Sequence, residues 1–122
     1  MTRGRSIASW TLTVPVAAMF LFAGSLKVLG VPLMVQAFAT IGLGQWFRYF
    51  TGTLEIASAL LLFVPALAPF AAMTLAVVMI GATIAHLVVI GGSPAIPITL
   101  FVATVAIAWL RRGRTQSALA QA

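Results

Sequence analysis

Four ionisable residues stand out because each lies within or beside an apolar stretch of the chain: Lys27, Arg48, Glu55 and His86. Glu55 is the only acidic residue among 122, and it lies in the run YFTGTLEIASALLLFV. An isolated carboxylate in hydrocarbon is too costly to stay charged, so we expect Glu55 to be protonated or paired with a cation. An ionisable residue inside a membrane is by default a candidate for function.

The composition is that of an integral membrane protein. Hydrophobic residues make up 62% of the chain, charged residues 7%, and the mean hydropathy is +1.16. Soluble domains are about 25% charged, so this chain has too little polar surface to form a water-soluble globule. The net charge of +6 does not indicate nucleic-acid binding, because the cations flank apolar runs. The absence of cysteine excludes dithiol and disulfide mechanisms.

The apolar pattern predicts an all-α, polytopic membrane protein, a four-transmembrane-helix bundle. Gly and Pro residues separate four predicted spans, at about residues 7–29, 46–64, 70–90 and 94–110. Residues 33–41 are apolar but too few to cross a bilayer, which predicts a short interfacial or re-entrant helix between helices 1 and 2. We therefore expect one transmembrane domain over residues 1–110 and a cytoplasmic polar tail over residues 111–122.

The arginines predict the orientation. Five of the seven Lys and Arg residues lie near the chain ends, at positions 3, 5, 111, 112 and 114, whereas Lys27 and Arg48 lie on the opposite side of the predicted bundle. The positive-inside rule then places both termini in the cytoplasm.

The ionisable residues of three helices are predicted to share one leaflet. If Trp46 marks the outer interface, Glu55 lies roughly 13 Å below it at the ~1.5 Å rise of an α-helix. Small residues accompany these side chains and allow close helix approach. We therefore predict an outer-leaflet polar pocket, a ligand site formed by Lys27, Arg48, Glu55 and His86.

Simpler roles remain open for each of these residues. Glu55 can tie helices together through a buried ion pair or hydrogen bond, and both Arg48 and Lys27 are within reach of it or can anchor at the interface. His86 can be a hydrogen-bonded histidine at a helix end or a proton-transfer group. One His, one Glu and no Cys cannot complete a metal site within one chain, so no metal is predicted.

Three segments resemble the DoxX-like family of small bacterial membrane proteins: FAGSLKVLG, AFATIGLGQWFRYFTGTLEIASALLLFVP and MIGATIAHL. The resemblance covers about residues 18 to 110. It implies a four-helix bundle in the bacterial inner membrane, and its marker positions here are Gly24, Lys27, Gly52, Glu55, Gly81 and His86. The family takes its name from a relative of the small subunit of an archaeal thiosulfate:quinone oxidoreductase, and other members are linked to membrane-associated oxidoreductase assemblies and oxidative-stress responses.

Three functions are compatible with this sequence. The first is a redox-associated membrane subunit whose pocket receives a quinone or a similar apolar molecule, a quinone being the only cofactor considered. The second is a non-catalytic membrane scaffold or assembly partner, and the third is a small proton-coupled transporter that uses Glu55. Whether the protein is an enzyme is left open. The expected partners are the lipid bilayer and a membrane protein or further copies of the chain, with no nucleic acid.

Overall fold

The computed structural model describes the backbone of residues 3–121 and the side chains of residue 4 and residues 6–112. Within this part of the chain it contains five α-helices and no strand, so the all-α prediction is confirmed. The helices are α1 (Arg3–Leu29), α2 (Pro32–Ile41), α3 (Gln45–Leu61), α4 (Ala68–Ala85) and α5 (Ala95–Gln121). The π-helical turn His86–Ile90 extends α4.

Glycine and proline set the helix boundaries in the first half of the chain. Gly30 follows α1 with a φ of 73°, and Gly42 follows α2 with a φ of 83°. This left-handed conformation closes the last turn of a helix, and glycine adopts it without steric cost. Pro32 begins α2, at a position where the N–H that proline lacks would have no helical partner.

Among the described residues, three helical stretches are long and apolar enough to cross a membrane: Ser6–Leu29, Ala68–Ile90 and Ala95–Arg112. They correspond to the first, third and fourth predicted spans. The helix of the second predicted span, α3, has 17 residues and ends at Leu61, before the predicted end at residue 64. The residues before Pro65 form turns instead, since a residue that precedes proline disfavours helical geometry.

The last helix is longer than predicted. Its backbone is helical to Gln121, through most of the residues that we expected to form a polar tail. This segment lacks proline and is rich in Ala, Arg and Gln, which favour helix, so polarity alone does not end the helix there.

The four long helices form a closed ring. The order of contacts is α1 with α3, α3 with α4, α4 with α5, and α5 with α1, while α2 packs on α3 and on the π-helical turn. Helices α1 and α3 are antiparallel, because Trp10 stacks on Phe63 near one end and Gly24 contacts Gly52 nearer the other.

Buried apolar side chains fill the inside of the ring. They include Phe20 from α1, Leu62 after α3, Leu75 from α4 and Ile107 from α5, each 0% exposed. The outward faces of the helices are also apolar, as expected for helices in contact with lipid.

Candidate functional site

The central feature of the candidate site is an ion pair between α1 and α3. The Nζ atom of Lys27 lies 2.9 Å from Oε1 of Glu55. The Glu55 side chain is only 1% exposed, whereas that of Lys27 is 16% exposed. A molecule from outside the bundle would therefore reach this buried carboxylate past the Lys27 side chain.

Two glycines bring the ion pair together. A Cβ atom built on Gly24 would lie 2.8 Å from the carbonyl oxygen of Gly52, and one built on Gly52 would lie 2.9 Å from the carbonyl oxygen of Gly24. The two backbones are therefore in direct contact. Lys27 and Glu55 each follow one of these glycines by three residues, a spacing that keeps them on the same helix face.

The second carboxylate oxygen of Glu55 has no partner within the described part of the chain. Its Oε2 atom is buried and accepts no hydrogen bond there. A buried polar atom without a hydrogen bond costs about 1–3 kcal/mol, so such an atom calls for an explanation. A donor supplied by a bound molecule is one explanation, and a structural cost offset by packing is another.

Arg48 does not pair with Glu55, although the sequence allowed it. Its guanidinium donates a hydrogen bond to the backbone oxygen of Lys27, in the last turn of α1. Its Nε donates to Oε1 of Gln45 at 2.8 Å, and its Cζ lies 4.3 Å from the ring centre of Tyr49. A cation near the C-terminal carbonyls of a helix interacts favourably with the helix dipole, so Arg48 caps α1.

We refer to Lys27, Arg48 and Glu55 as the α1–α3 polar cluster. The short helix α2 is attached to it, because Nε2 of Gln45 donates to the backbone oxygen of Val35 at 3.1 Å. One glutamine therefore joins α2 to the arginine that caps α1. Through these contacts the first three helices form one hydrogen-bonded unit.

His86, the fourth residue of the predicted pocket, bonds within its own helix. Its Nδ1 lies 2.9 Å from the backbone oxygen of Ala82, so Nδ1–H is the donor. In the described residues, no hydrogen bond or ion pair links His86 to the α1–α3 polar cluster. They also hold no group of three or more His, Cys, Asp or Glu side chains that could bind a metal ion.

Two shallow surface grooves lie elsewhere. One follows the outward face of α3, and the other lies between α1 and the start of α5. Neither is lined by Lys27, Glu55 or His86; the lining residues are Tyr49, Phe50, Thr53, Leu54 and Ala57 in the first groove, and Met19, Ala95, Ile96, Thr99 and Leu100 in the second. The buried carboxylate is therefore enclosed between helices rather than at the base of an open groove.

A second buried cation, Arg111, was not predicted from the sequence. Its side chain is 0% exposed, it donates a hydrogen bond to the backbone oxygen of Leu62, and its Cζ lies 4.5 Å from the ring centre of Trp10. Arg111 therefore caps the C-terminal end of α3 as Arg48 caps α1. A signal was present in the sequence, since Thr104, Ile107 and Arg111 share one helix face, and all three are buried.

Comparison with known proteins places the chain in a family. A sequence model of the DoxX-like family matches residues 11–114. Comparisons with curated proteins and with solved structures give no significant match. Because the family model covers most of the chain, the protein belongs to the DoxX-like family.

Proposed function

We propose that the chain crosses the membrane four times, with α3 as the additional span and α2 at the interface. The position of α3 between α1 and α4 in the ring supports this topology. Its 17 residues extend about 26 Å, close to the ~30 Å of a bilayer core. The arginines near both termini support an inner-membrane orientation with both ends in the cytoplasm.

We further propose that the protein is a redox-associated membrane subunit whose α1–α3 polar cluster binds a quinone or a similar apolar molecule with a polar head. The observation that carries this proposal is the unpartnered Oε2 of Glu55 beside the Lys27 ammonium. A hydroquinone hydroxyl can donate to Oε2, and a quinone carbonyl can accept from Nζ of Lys27. The DoxX-like resemblance supports the redox association.

Retention of quinone by the purified protein tests this proposal. We expect the protein extracted from membranes to carry quinone detectable by native mass spectrometry, and Glu55→Gln to reduce the amount. Thr53→Val is the matched control, because Thr53 is exposed on the same helix and lines the outward groove of α3. It should leave retention unchanged.

Two outcomes would contradict the proposal. If the purified protein neither carries quinone nor takes it up on titration, quinone is not its ligand. If Thr53→Val loses quinone and Glu55→Gln does not, the quinone binds in the outward groove of α3 and not at the α1–α3 polar cluster.

A second candidate function, a non-catalytic scaffold or assembly partner, is favoured by the closed packing around Glu55. The direct backbone contact of Gly24 with Gly52 leaves the carboxylate 1% exposed, as expected if the ion pair only holds two helices together. In that case Glu55→Gln lowers the stability of the bundle and changes no ligand signal.

The proton-coupled transporter has less support. A transported ion needs a polar path through the bundle, and buried apolar side chains such as Phe20, Leu75 and Ile107 fill much of its interior. Proton release when cationic drugs are added to the solubilised protein would favour this function. A titration that releases no protons would exclude it.

A further inference from the structure

The helix segments that carry the arginines of the first and last helices meet at one end of the bundle. Contacts of Arg111 with Trp10 and with the backbone oxygen of Leu62 bring the start of α1, the end of α3 and the later part of α5 together. Arg3 and Arg5 belong to the first turns of α1, and Arg112 and Arg114 follow Arg111 on α5. We call this region the arginine end.

The chain has no acidic side chain with which to neutralise the arginine end. Its single acidic residue, Glu55, is paired with Lys27, which lies in the last turn of α1, at the other end of that helix. Five arginines therefore belong to the helix segments that meet at this end, and the sequence has no acidic residue in those segments. Such a cluster beside apolar helices attracts anionic groups from outside the protein.

The two neighbouring arginines of α5 differ in exposure. Arg111 is buried and caps α3, whereas Arg112 is exposed. The Cζ atom of Arg112 lies 4.1 Å from the ring centre of Trp109, and its guanidinium also donates to the Trp109 backbone oxygen. Trp109 is itself 59% exposed. Tryptophan favours the depth of lipid headgroups, so this pair offers a cation and an aromatic ring at one level of the bilayer.

We infer that the arginine end binds the phosphate headgroups of anionic phospholipids, with Arg112 and Trp109 as its exposed contact. Charge complementarity and position favour a lipid over a soluble anion. A phospholipid places its phosphate beside Arg112 while its acyl chains cover the apolar face below Trp109, and a free phosphate ion satisfies only the charge. This inference is independent of the quinone proposal, because it involves the opposite end of the bundle.

Lipid titration followed by native mass spectrometry tests the inference. The full-length protein in detergent is titrated with phosphatidylglycerol and with phosphatidylcholine of the same acyl chains. We expect a preference for phosphatidylglycerol that weakens by about fivefold in Arg112→Gln, as expected for one cation near a membrane surface. Arg112→Lys, which keeps the charge, is the matched control and should retain most of the preference. Circular dichroism verifies the helical content of each variant.

Three results would overturn the inference. They are equal binding of the two lipids by the unaltered protein, an unchanged lipid preference in Arg112→Gln, and complete displacement of phosphatidylglycerol by inorganic phosphate. If Arg112→Gln does not fold, lipid binding by the unaltered protein is measured over a series of salt concentrations instead. Added salt must weaken the binding of phosphatidylglycerol and leave that of phosphatidylcholine unchanged, and any other result contradicts the inference.

Discussion

At the scale of single residues, the Lys27 ammonium is the compensating partner of a carboxylate that is almost fully buried. Removing one member of a buried ion pair leaves the other charged group without compensation, which costs far more than removing both. The two residues should therefore behave as one unit in any measurement of stability.

Lys27→Met tests this dependence, because methionine keeps much of the length of the side chain and loses the charge. We expect the free energy of unfolding to fall by about 3–5 kcal/mol, as for other broken buried pairs. Adding Glu55→Leu in the same chain should restore part of that loss. The measurement is reversible unfolding in mixed detergent micelles, arranged as a double-mutant cycle. Additive effects of the two substitutions would contradict a direct interaction.

The sequence predicted that Glu55 needs a partner but not which partner it has. Arg48 shares a helix face with Glu55, and Lys27 lies on a different helix, so spacing along the chain did not decide between them. The choice depends on how α1 and α3 are aligned, and the contact between Gly24 and Gly52 sets that alignment. Single-sequence patterns contain no information on the alignment of two helices.

At the scale of helices, the close approach of α1 to α3 depends on two positions that lack a side chain. A methyl group at Gly52 would lie 2.9 Å from Cβ of Lys27 as well as from the Gly24 carbonyl, so the helices would have to separate. Separation would also lengthen the ion pair. Gly81 differs, because a Cβ built there has no neighbour within 4 Å.

Gly52→Ala and Gly81→Ala therefore form a matched pair of substitutions. We expect Gly52→Ala to lower the free energy of unfolding by about 1–3 kcal/mol through overpacking. Gly81→Ala should be neutral or stabilising, by up to about 1 kcal/mol, because alanine favours helix. Thermal unfolding in detergent, followed by circular dichroism, compares the two variants. A larger loss in Gly81→Ala would refute the assigned α1–α3 contact.

Helix ends were predictable where glycine marks them and less so elsewhere. Gly30 and Gly42 end α1 and α2 as their residue types indicate. The last helix passes its predicted end at residue 110 because polar residues that favour helix follow it. Polar residues indicate where a chain leaves the membrane, but a helix can continue beyond that point.

At the scale of the whole molecule, the ring consists of two helix pairs. Helices α1 and α3 share the glycine contact and the ion pair, and α4 and α5 follow each other through a short connection. Arg111 links the pairs, since it projects from α5 to Trp10 of α1 and to the backbone oxygen of Leu62.

Arg111→Gln should therefore destabilise the bundle where Arg112→Gln does not. We expect a loss of about 1.5–3 kcal/mol for Arg111→Gln, the range for a hydrogen bond to a charged group. The exposed neighbour should change stability by less than about 0.5 kcal/mol, as is usual for surface positions. Unfolding of both variants under identical detergent conditions gives the comparison. Equal effects would mean that burial of Arg111 contributes nothing to the bundle.

The position of Arg111 in the chain has a consequence for biosynthesis. A membrane protein is inserted as it leaves the ribosome, and the cation that completes the end of α3 belongs to α5, which emerges after the other four helices. Any product that terminates before residue 111 lacks that cation, so the end of α3 stays uncapped until α5 has been inserted. A quality-control protease that recognises open bundles would then remove shortened copies without reading their sequence.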